Sequence, residues 1–140
     1  MQLTKNFTLA EMVRSATAER KEYREQFDPP EDIKENLIEL CTHILQPLRN
    51  IVGQPIFVNS GYRCPRLNKD IGGKKNSQHL TGQAADLQAT GEMSNTFLYR
   101  AILDNKLPFD QLIWEYGDDT EPEWVHVSYS SRNRREVFRV

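Results

Sequence analysis

The longest helical pattern of the chain lies in its first half. Apolar residues recur there at intervals of three and four positions, namely Ile33, Leu37, Leu40, Ile44, Leu48 and Ile51. This spacing predicts an amphipathic helix with one apolar stripe facing a core. Pro47 lacks a backbone N–H and crowds the preceding turn, so we expect a kink or an interruption there. Gly53 marks the predicted end of the helix.

Two shorter helices are predicted from the residues that begin them. Thr8 followed three residues later by Glu11 forms a capping box, which predicts a helix from about Leu9 to Ser15. Ser94 can cap another helix, which carries Phe97, Leu98, Ala101 and Ile102. Residues 19–25 are mostly charged, and we interpret them as a solvated connection.

The second half of the chain contains short apolar segments that are typical of strands. They cover residues 55–59, 84–89, 110–116, 124–129 and 136–140. Residues 61–78 are expected to form a loop with one helical turn near 67–71. Helices followed by strands with one inserted helix predict an α+β fold on a mostly antiparallel sheet. We expect one domain over residues 1–140, with a helical part (1–53) and a sheet part (54–140).

Composition narrows the class of protein. The 140 residues carry 18 Lys and Arg against 20 Asp and Glu, a formal charge of −2. This balance argues against binding of nucleic acid by bulk electrostatics, and the basic tail of Arg132, Arg134, Arg135 and Arg139 has few interleaved aromatic residues. No segment approaches the roughly 20 consecutive apolar residues of a membrane span. We expect a monomer.

The N-terminal residues and the cysteines bear on the compartment. Lys5 and Glu11 interrupt what would be the apolar stretch of a signal peptide, so we expect synthesis in the cytoplasm without one. Cys41 and Cys64 are too few for a disulfide scaffold and lack the spacing of a structural zinc site. Two free thiols are therefore expected.

The three histidines differ in their surroundings. His43 lies in the long amphipathic helix, where an ordinary helical histidine is expected. His79 lies in a polar loop seven residues before Asp86, which stands in an otherwise apolar strand. A buried carboxylate needs a cation, a metal or several hydrogen bonds, and a hydrogen-bonded structural pair would also satisfy both residues. His126 has apolar neighbours too, and two imidazoles with one carboxylate form a common ligand set for catalytic zinc.

Two motifs carry a resemblance to a known family. The first is Ser77-x-His79-x-x-Gly82-x-Ala84-x-Asp86, and the second, farther along the chain, is Glu123-x-x-His126. Together they resemble the zinc D-Ala-D-Ala peptidase family, which includes D-alanyl-D-alanine carboxypeptidases, dipeptidases and phage endolysins. The run Ser60-Gly61-Tyr62-Arg63 is similar to the arginine-bearing turn of that family. The resemblance implies a hedgehog / DD-peptidase-like zinc fold.

The resemblance also implies roles for individual residues. His79, Asp86 and His126 would bind zinc (Zn2+), and Glu123 would be the general base. Arg63 would stabilise an oxyanion or bind a substrate carboxylate, and Ser77 would bind the substrate or orient the site. In a straight strand, positions 123 and 126 point to opposite faces, so Glu123 reaches the site only from an irregular strand entry. Glu121 and Glu115 are the alternatives.

The activity implied by the resemblance is hydrolysis of amide bonds next to D-Ala in peptidoglycan stem peptides, in the manner of a D-Ala-D-Ala carboxypeptidase. The chain would act on the cell wall after release. An L-Ala-D-Glu endopeptidase of the phage endolysin type and a non-catalytic zinc-containing binding module are the alternatives. A carboxypeptidase needs a cation for the free carboxylate of its substrate, and Lys74, Lys75 or Arg66 can supply it.

Overall fold

The computed structural model describes all 140 residues, Met1–Val140, as a mixture of helices and strands. The helices are α1 (Leu9–Val13), α2 (Ala16–Arg20), α3 (Glu31–Leu40), α4 (Gln46–Val52), α5 (Pro65–Asp70) and α6 (Asn95–Asp104). The strands are β1 (Gln2–Thr4), β2 (Phe7–Thr8), β3 (Ile56–Ser60), β4 (Ala84–Ala89), β5 (Gln111–Glu115), β6 (Trp124–Ser128) and β7 (Glu136–Arg139). The predicted α+β class is confirmed.

The main sheet has five strands in the order β3-β4-β6-β5-β7. Its pairs are antiparallel except for β5 and β7, which run parallel. The prediction of a mostly antiparallel sheet with a closing edge strand is therefore confirmed. Strands β1 and β2 form a separate hairpin that the sequence did not predict.

The long amphipathic helix is present but changes its winding before Pro47. Helix α3 continues through a π turn at Cys41–Leu45 into α4, and the backbone N–H of Gln46 donates to the carbonyl of Cys41. The wider turn accommodates a proline whose ring would crowd a regular α-helix, as predicted. The helix ends at Gly53, whose φ of +68° is left-handed.

The helix starts explain one error in the prediction. Thr8 and Glu11 form the predicted capping box, but α1 ends at Val13. The hydroxyl of Ser15 instead accepts a hydrogen bond from the N–H of Ala18 and begins α2. Residues 19–25 are mostly exposed, as the interpretation of a solvated connection requires, but α2 extends to Arg20 and a 3-10 turn begins at Arg24, so the connection itself is shorter than predicted.

One hydrophobic cluster of 26 buried residues joins the helices to the sheet. The apolar stripe of the long helix contributes Leu37, Leu40, Ile44 and Leu48, and the sheet contributes alternate residues, among them Ala85, Leu87, Val125 and Val127. Because side chains alternate along a strand, Asp86 and His126 project from the opposite face. Cys41 and Cys64 are buried free thiols, and burial raises the pKa of Cys41 to about 12.

None of the helices is both long enough and apolar enough to cross a bilayer.

Candidate metal centre

Two of the three candidate ligands come from neighbouring strands. Asp86 of β4 is paired in register with His126 of β6. Both side chains are buried, and Nδ1 of His126 lies 2.9 Å from Oδ1 of Asp86. The backbone ladder between β4 and β6 therefore sets the spacing of these two groups.

The third candidate ligand, His79, lies in the 3-10 turn Gln78–Thr81. The hydroxyl of Ser77 accepts a hydrogen bond from the backbone N–H of His79 at 3.2 Å and so caps the turn. The turn ends at Gly82, whose φ is +71°. A side chain at this position would place its Cβ 2.9 Å from the backbone oxygen of Ile33. Only glycine combines that conformation with such a close approach.

The surroundings of His79 fit a bound cation. Its Nδ1 donates to the carbonyl of Gly61 at 2.7 Å, so in the neutral ring that binds a metal the lone pair is on Nε2, which is buried and has no hydrogen-bond partner. Nε2 lies 3.3 Å from Oδ1 of Asp86, which is also an acceptor. A cation held between the two would satisfy both.

The charge and spacing of the three residues agree with such a cation. The ligand atoms of His79, Asp86 and His126 all lie within 4.8 Å of one another. Burial alone raises the pKa of Asp86, but the His79 and His126 rings reverse this effect and hold the pKa well below its usual range. Asp86 is thus an ionised ligand, and two imidazoles with one carboxylate suit zinc.

A cavity of about 450 Å³ opens over this triad. Its apolar lining comes from the ends of β5, β6 and β7 and from the residue after α5: Ile71, Ile113, Tyr116, Trp124, Phe138 and Val140. Its polar and charged lining, apart from the triad, comprises Ser60, Arg63, Lys74, Ser77, Gln78 and Glu115. The cavity therefore combines apolar residues with polar and charged ones around the triad.

Arg63 reaches the triad from the turn after β3. Its Nη2 lies 3.8 Å from Oδ2 of Asp86, and its Nη1 donates to Oδ1 of Asn68 at 3.0 Å. The Nε atom is buried and has no partner. Burial lowers the pKa of Arg63 while Asp86 and Glu115 oppose this effect, and a guanidinium remains charged under such conditions.

A glutamine that the sequence analysis did not single out holds the Arg63 turn in place. Gln26 is fully buried, and its Nε2 donates at 2.8 Å to the carbonyls of both Val13 and Tyr62. Its Oε1 accepts from the backbone N–H of Cys64 at 2.8 Å. One side chain thus joins α1 to the residues on either side of Arg63. No sequence motif marks Gln26, because its importance depends on the tertiary contacts alone.

The structure brings Glu115, and not Glu123, to the cavity. Glu115 ends β5 opposite Trp124, so it shares a face with Ile113, which is opposite His126. Burial raises the pKa of Glu115, an effect that His126 partly offsets. Glu115 is thus a carboxylate beside the triad, and it is one of the two residues that the sequence analysis names as alternatives for the general base.

Glu123 and Glu121 lie elsewhere. Glu123 is exposed just before β6 and is absent from the cavity lining. The alternation of side chains along the strand directs it away from the face of His126. Glu121 accepts a hydrogen bond at 2.7 Å from the backbone N–H of Asn95, at the start of α6. The expected role of Glu123 as base is therefore not supported by its position.

A comparison with known families bears on this geometry. The model of the peptidase M15 family matches residues 5–128, which is most of the chain. The chain belongs to the peptidase M15 family. This confirms the resemblance that the two motifs indicated, and the matched residues include the triad and Glu115.

One curated relative matches part of this M15 peptidase domain. It is the zinc D-Ala-D-Ala carboxypeptidase of Streptomyces albus G, which is 48% identical over 46 residues. The match covers 32% of the chain and 18% of the relative. The chain therefore spans only a small part of that relative's length. The family, the name of this relative and the buried triad agree with the predicted zinc cofactor.

The three candidate cations for a substrate carboxylate are separated in this M15 domain. Lys74 lines the cavity, whereas the adjacent Lys75 does not. The guanidinium of Arg66 is bound by Glu25 and lies 4.1 Å from the centre of the Tyr23 ring. Lys74 is thus the only one of the three that faces the triad.

A second buried carboxylate, that of Asp110, is hydrogen-bonded to the residue next to the candidate ligand His79. Asp110 is fully buried and accepts hydrogen bonds from the backbone and side chain of Arg134 and from Nε2 of Gln78, the residue before His79. Burial raises the pKa of Asp110, but the hydrogen bonds from Arg134, Gln78 and Ser130 more than offset this and hold the pKa below its usual range. Asp110 thus joins the segment before β7 to the His79 turn.

Asp110→Asn should destabilise the protein by about 2 kcal/mol near pH 7, because it removes the charge that accepts hydrogen bonds from Arg134 and Gln78 in a buried position, while Arg134 keeps its partial exposure and its contact with Glu136. A lowered pKa in the folded state contributes stability above the unfolded pKa of about 3.9, and this contribution is lost as the pH falls. The difference between wild type and variant should therefore narrow below about pH 4. Denaturant unfolding of both proteins from pH 7 to pH 3 measures it, and a constant difference would contradict the assignment.

Proposed function

We propose that the chain is a zinc-dependent carboxypeptidase that removes the terminal D-Ala from peptidoglycan stem peptides. The observation that carries the proposal is the convergence on one cavity of a metal-type triad, a carboxylate (Glu115), a buried arginine (Arg63) and a lysine (Lys74). The Streptomyces albus G relative supports the substrate class. The proposal includes a hedgehog / DD-peptidase-like arrangement of the zinc fold and action on the wall after release.

The residues that line the cavity would have different roles in amide hydrolysis. Zinc, when bound by His79, Asp86 and His126, supplies Lewis acidity toward the scissile carbonyl and toward water. Glu115 accepts the proton of the attacking water as the new C–O bond forms, and it delivers that proton to the leaving nitrogen as the C–N bond breaks. Arg63 offers fixed N–H donors to the oxyanion.

Lys74 would bind the free carboxylate of the terminal D-Ala. It is the cationic side chain other than Arg63 in the lining of the cavity, and its charge acts on Glu115 there. Ser77 also lines the cavity, but its hydroxyl already accepts a hydrogen bond from the backbone N–H of His79. We propose that the main role of Ser77 is to hold the turn that carries His79, and that it affects the substrate only through the position of that turn.

Two activity assays separate this function from its alternatives. The substrates are a pentapeptide ending in free D-Ala-D-Ala and its C-terminal amide, with products identified by mass spectrometry. A carboxypeptidase should lose most of its rate on the amide, because the charge partner of Lys74 is then missing. Equal rates, or cleavage between L-Ala and D-Glu only, would identify an endopeptidase. Zinc binding without any cleavage would identify a binding module.

Lys74→Ala should reduce kcat/KM for the free pentapeptide by about tenfold, since a hydrogen-bonded charge contributes roughly 1.5–3 kcal/mol and Lys74 is partly solvated. The same variant should no longer distinguish the free peptide from its amide. Lys75→Ala is the matched control, because it removes the same charge one residue farther from the cavity. Equal losses in the two variants would argue that neither lysine contacts the carboxylate.

A further inference from the structure

Arg63 borders a second cavity as well as the one over the triad. This second cavity of about 230 Å³ shares three lining residues with the first, Ser60, Arg63 and Ile71. The second cavity lies between the start of α2 and the end of β3, and Arg14 lines its far side. We call it the second compartment. Because three residues border both cavities, the second compartment directly adjoins the cavity over the triad.

The second compartment is positively charged. Two arginines line it and no carboxylate does. By contrast, the first cavity contains Asp86 and Glu115 beside its two cations. The remaining lining is neutral, with hydroxyl and amide groups such as those of Thr17 and Asn59. This difference in charge favours an anionic group in the second compartment.

Both guanidinium groups are fixed in position and still have unused donors. Arg14 donates through Nη2 to the carbonyl of Val58 at 3.1 Å and lies 4.9 Å from the centre of the Phe57 ring. This is the single hydrogen bond that its side chain makes to the protein. Arg63 is held through Asn68, and its Nε has no partner. A planar guanidinium with free N–H groups matches a carboxylate better than it matches any neutral group.

We propose that the second compartment binds the carboxylate of an acidic residue of the substrate peptide, on the side of the scissile bond that retains the stem. This rests on the proposed function. An α-linked acidic residue two or three positions before the terminal D-Ala lies roughly 7–10 Å from the scissile amide in an extended chain, and a γ-linked one lies farther, so its carboxylate falls outside the cavity over the triad. Arg14 is then a specificity-determining residue of the peptidase.

Binding to the zinc-loaded protein tests the proposal without turnover. The probes are the product peptide L-Ala-γ-D-Glu-L-Lys-D-Ala and its counterpart in which the free carboxylate of D-Glu is a carboxamide, titrated by calorimetry. The wild type should bind the acidic peptide about tenfold more tightly, as expected for one charge-assisted contact. Arg14→Gln should bind both peptides alike. Arg14 is exposed, so the variant should fold, and its melting temperature checks this.

Arg20→Gln is the matched control, because Arg20 is exposed on the adjoining α2, lies outside both cavities and changes the net charge equally. It should keep the preference for the acidic peptide. Equal losses in the two variants would overturn the proposal in favour of general electrostatic attraction, and so would equal binding of the two peptides by the wild type.

The two proposals can fail separately. Cleavage of the corresponding pentapeptides with equal kcat/KM would overturn the second compartment as an anion site and leave the peptidase function intact. Selective binding of the acidic peptide without cleavage of either pentapeptide would retain the compartment and overturn the function. Binding of neither peptide would overturn both.

Discussion

Glu115→Gln should lower kcat by about 10²–10⁴-fold and leave the zinc content unchanged, because it removes the proton acceptor and keeps the size of the side chain. Glu115 lies on the face of the sheet that carries His126, and it lines the cavity over the triad. Steady-state kinetics on the pentapeptide and metal analysis of the same preparation measure both quantities. A large loss of zinc would instead indicate that Glu115 contributes to holding the metal.

Glu123→Gln is the comparison that decides between the two glutamates. The same chemical change is made on the neighbouring strand, at an exposed position outside the cavity. Its kcat should stay close to that of the wild type. The reverse result, a large loss in Glu123→Gln and none in Glu115→Gln, would restore the role that the Glu-x-x-His motif implied.

His126→Ala should abolish both zinc binding and activity, because it leaves only two of the three ligands. The purified wild type should contain about one zinc per chain and the variant almost none. A metal that binds only the folded state stabilises it by about 2.7 kcal/mol at a free concentration one hundred times Kd, so the variant should also lose the effect of added zinc on the melting temperature. Metal analysis and thermal unfolding with and without zinc measure these results.

His43→Ala is the control for that experiment. His43 is partly exposed in the π turn, where it lies 3.0 Å from Glu39 and stacks on Tyr129 with ring centroids 4.6 Å apart. Its removal should leave the zinc content unchanged. Full zinc occupancy in His126→Ala would show that the ligand set is wrong.

Much of the fold follows from local chemistry. Ser94 caps α6 as predicted, with the N–H of Phe97 donating to its hydroxyl, and β4 occupies the predicted residues 84–89. The apolar stripe, Pro47 and Gly53 predict the long helix and its interruption. The β1–β2 hairpin and α2 are too short to show a periodic pattern of apolar residues, and β1 packs against α3 and the π turn, which lie farther along the chain.

In the site, too, some features can be predicted from local sequence and others depend on tertiary contacts. The motif residues His79, Asp86 and His126 come together because a capped turn and two adjacent strands carry them. The position of Glu115 depends on the register between β5 and β6, which no single segment of sequence encodes. The alternation of side chains along a strand predicts that residues 123 and 126 point to opposite faces, and in the structure Glu123 lies outside the cavity that His126 lines.

The outer edge of β7 has a consequence for the behaviour of the protein in solution. This strand ends the sheet, and its two central residues, Val137 and Phe138, are exposed. The backbone N–H and C=O groups on an open edge with apolar residues can pair with a strand of another polypeptide. Glu136 and Arg139 flank the apolar pair, and each is fixed by a partner, Gln111 and Asp119 respectively. These charges act as gatekeepers against aggregation, and they keep Phe138 free to form a wall of the cavity.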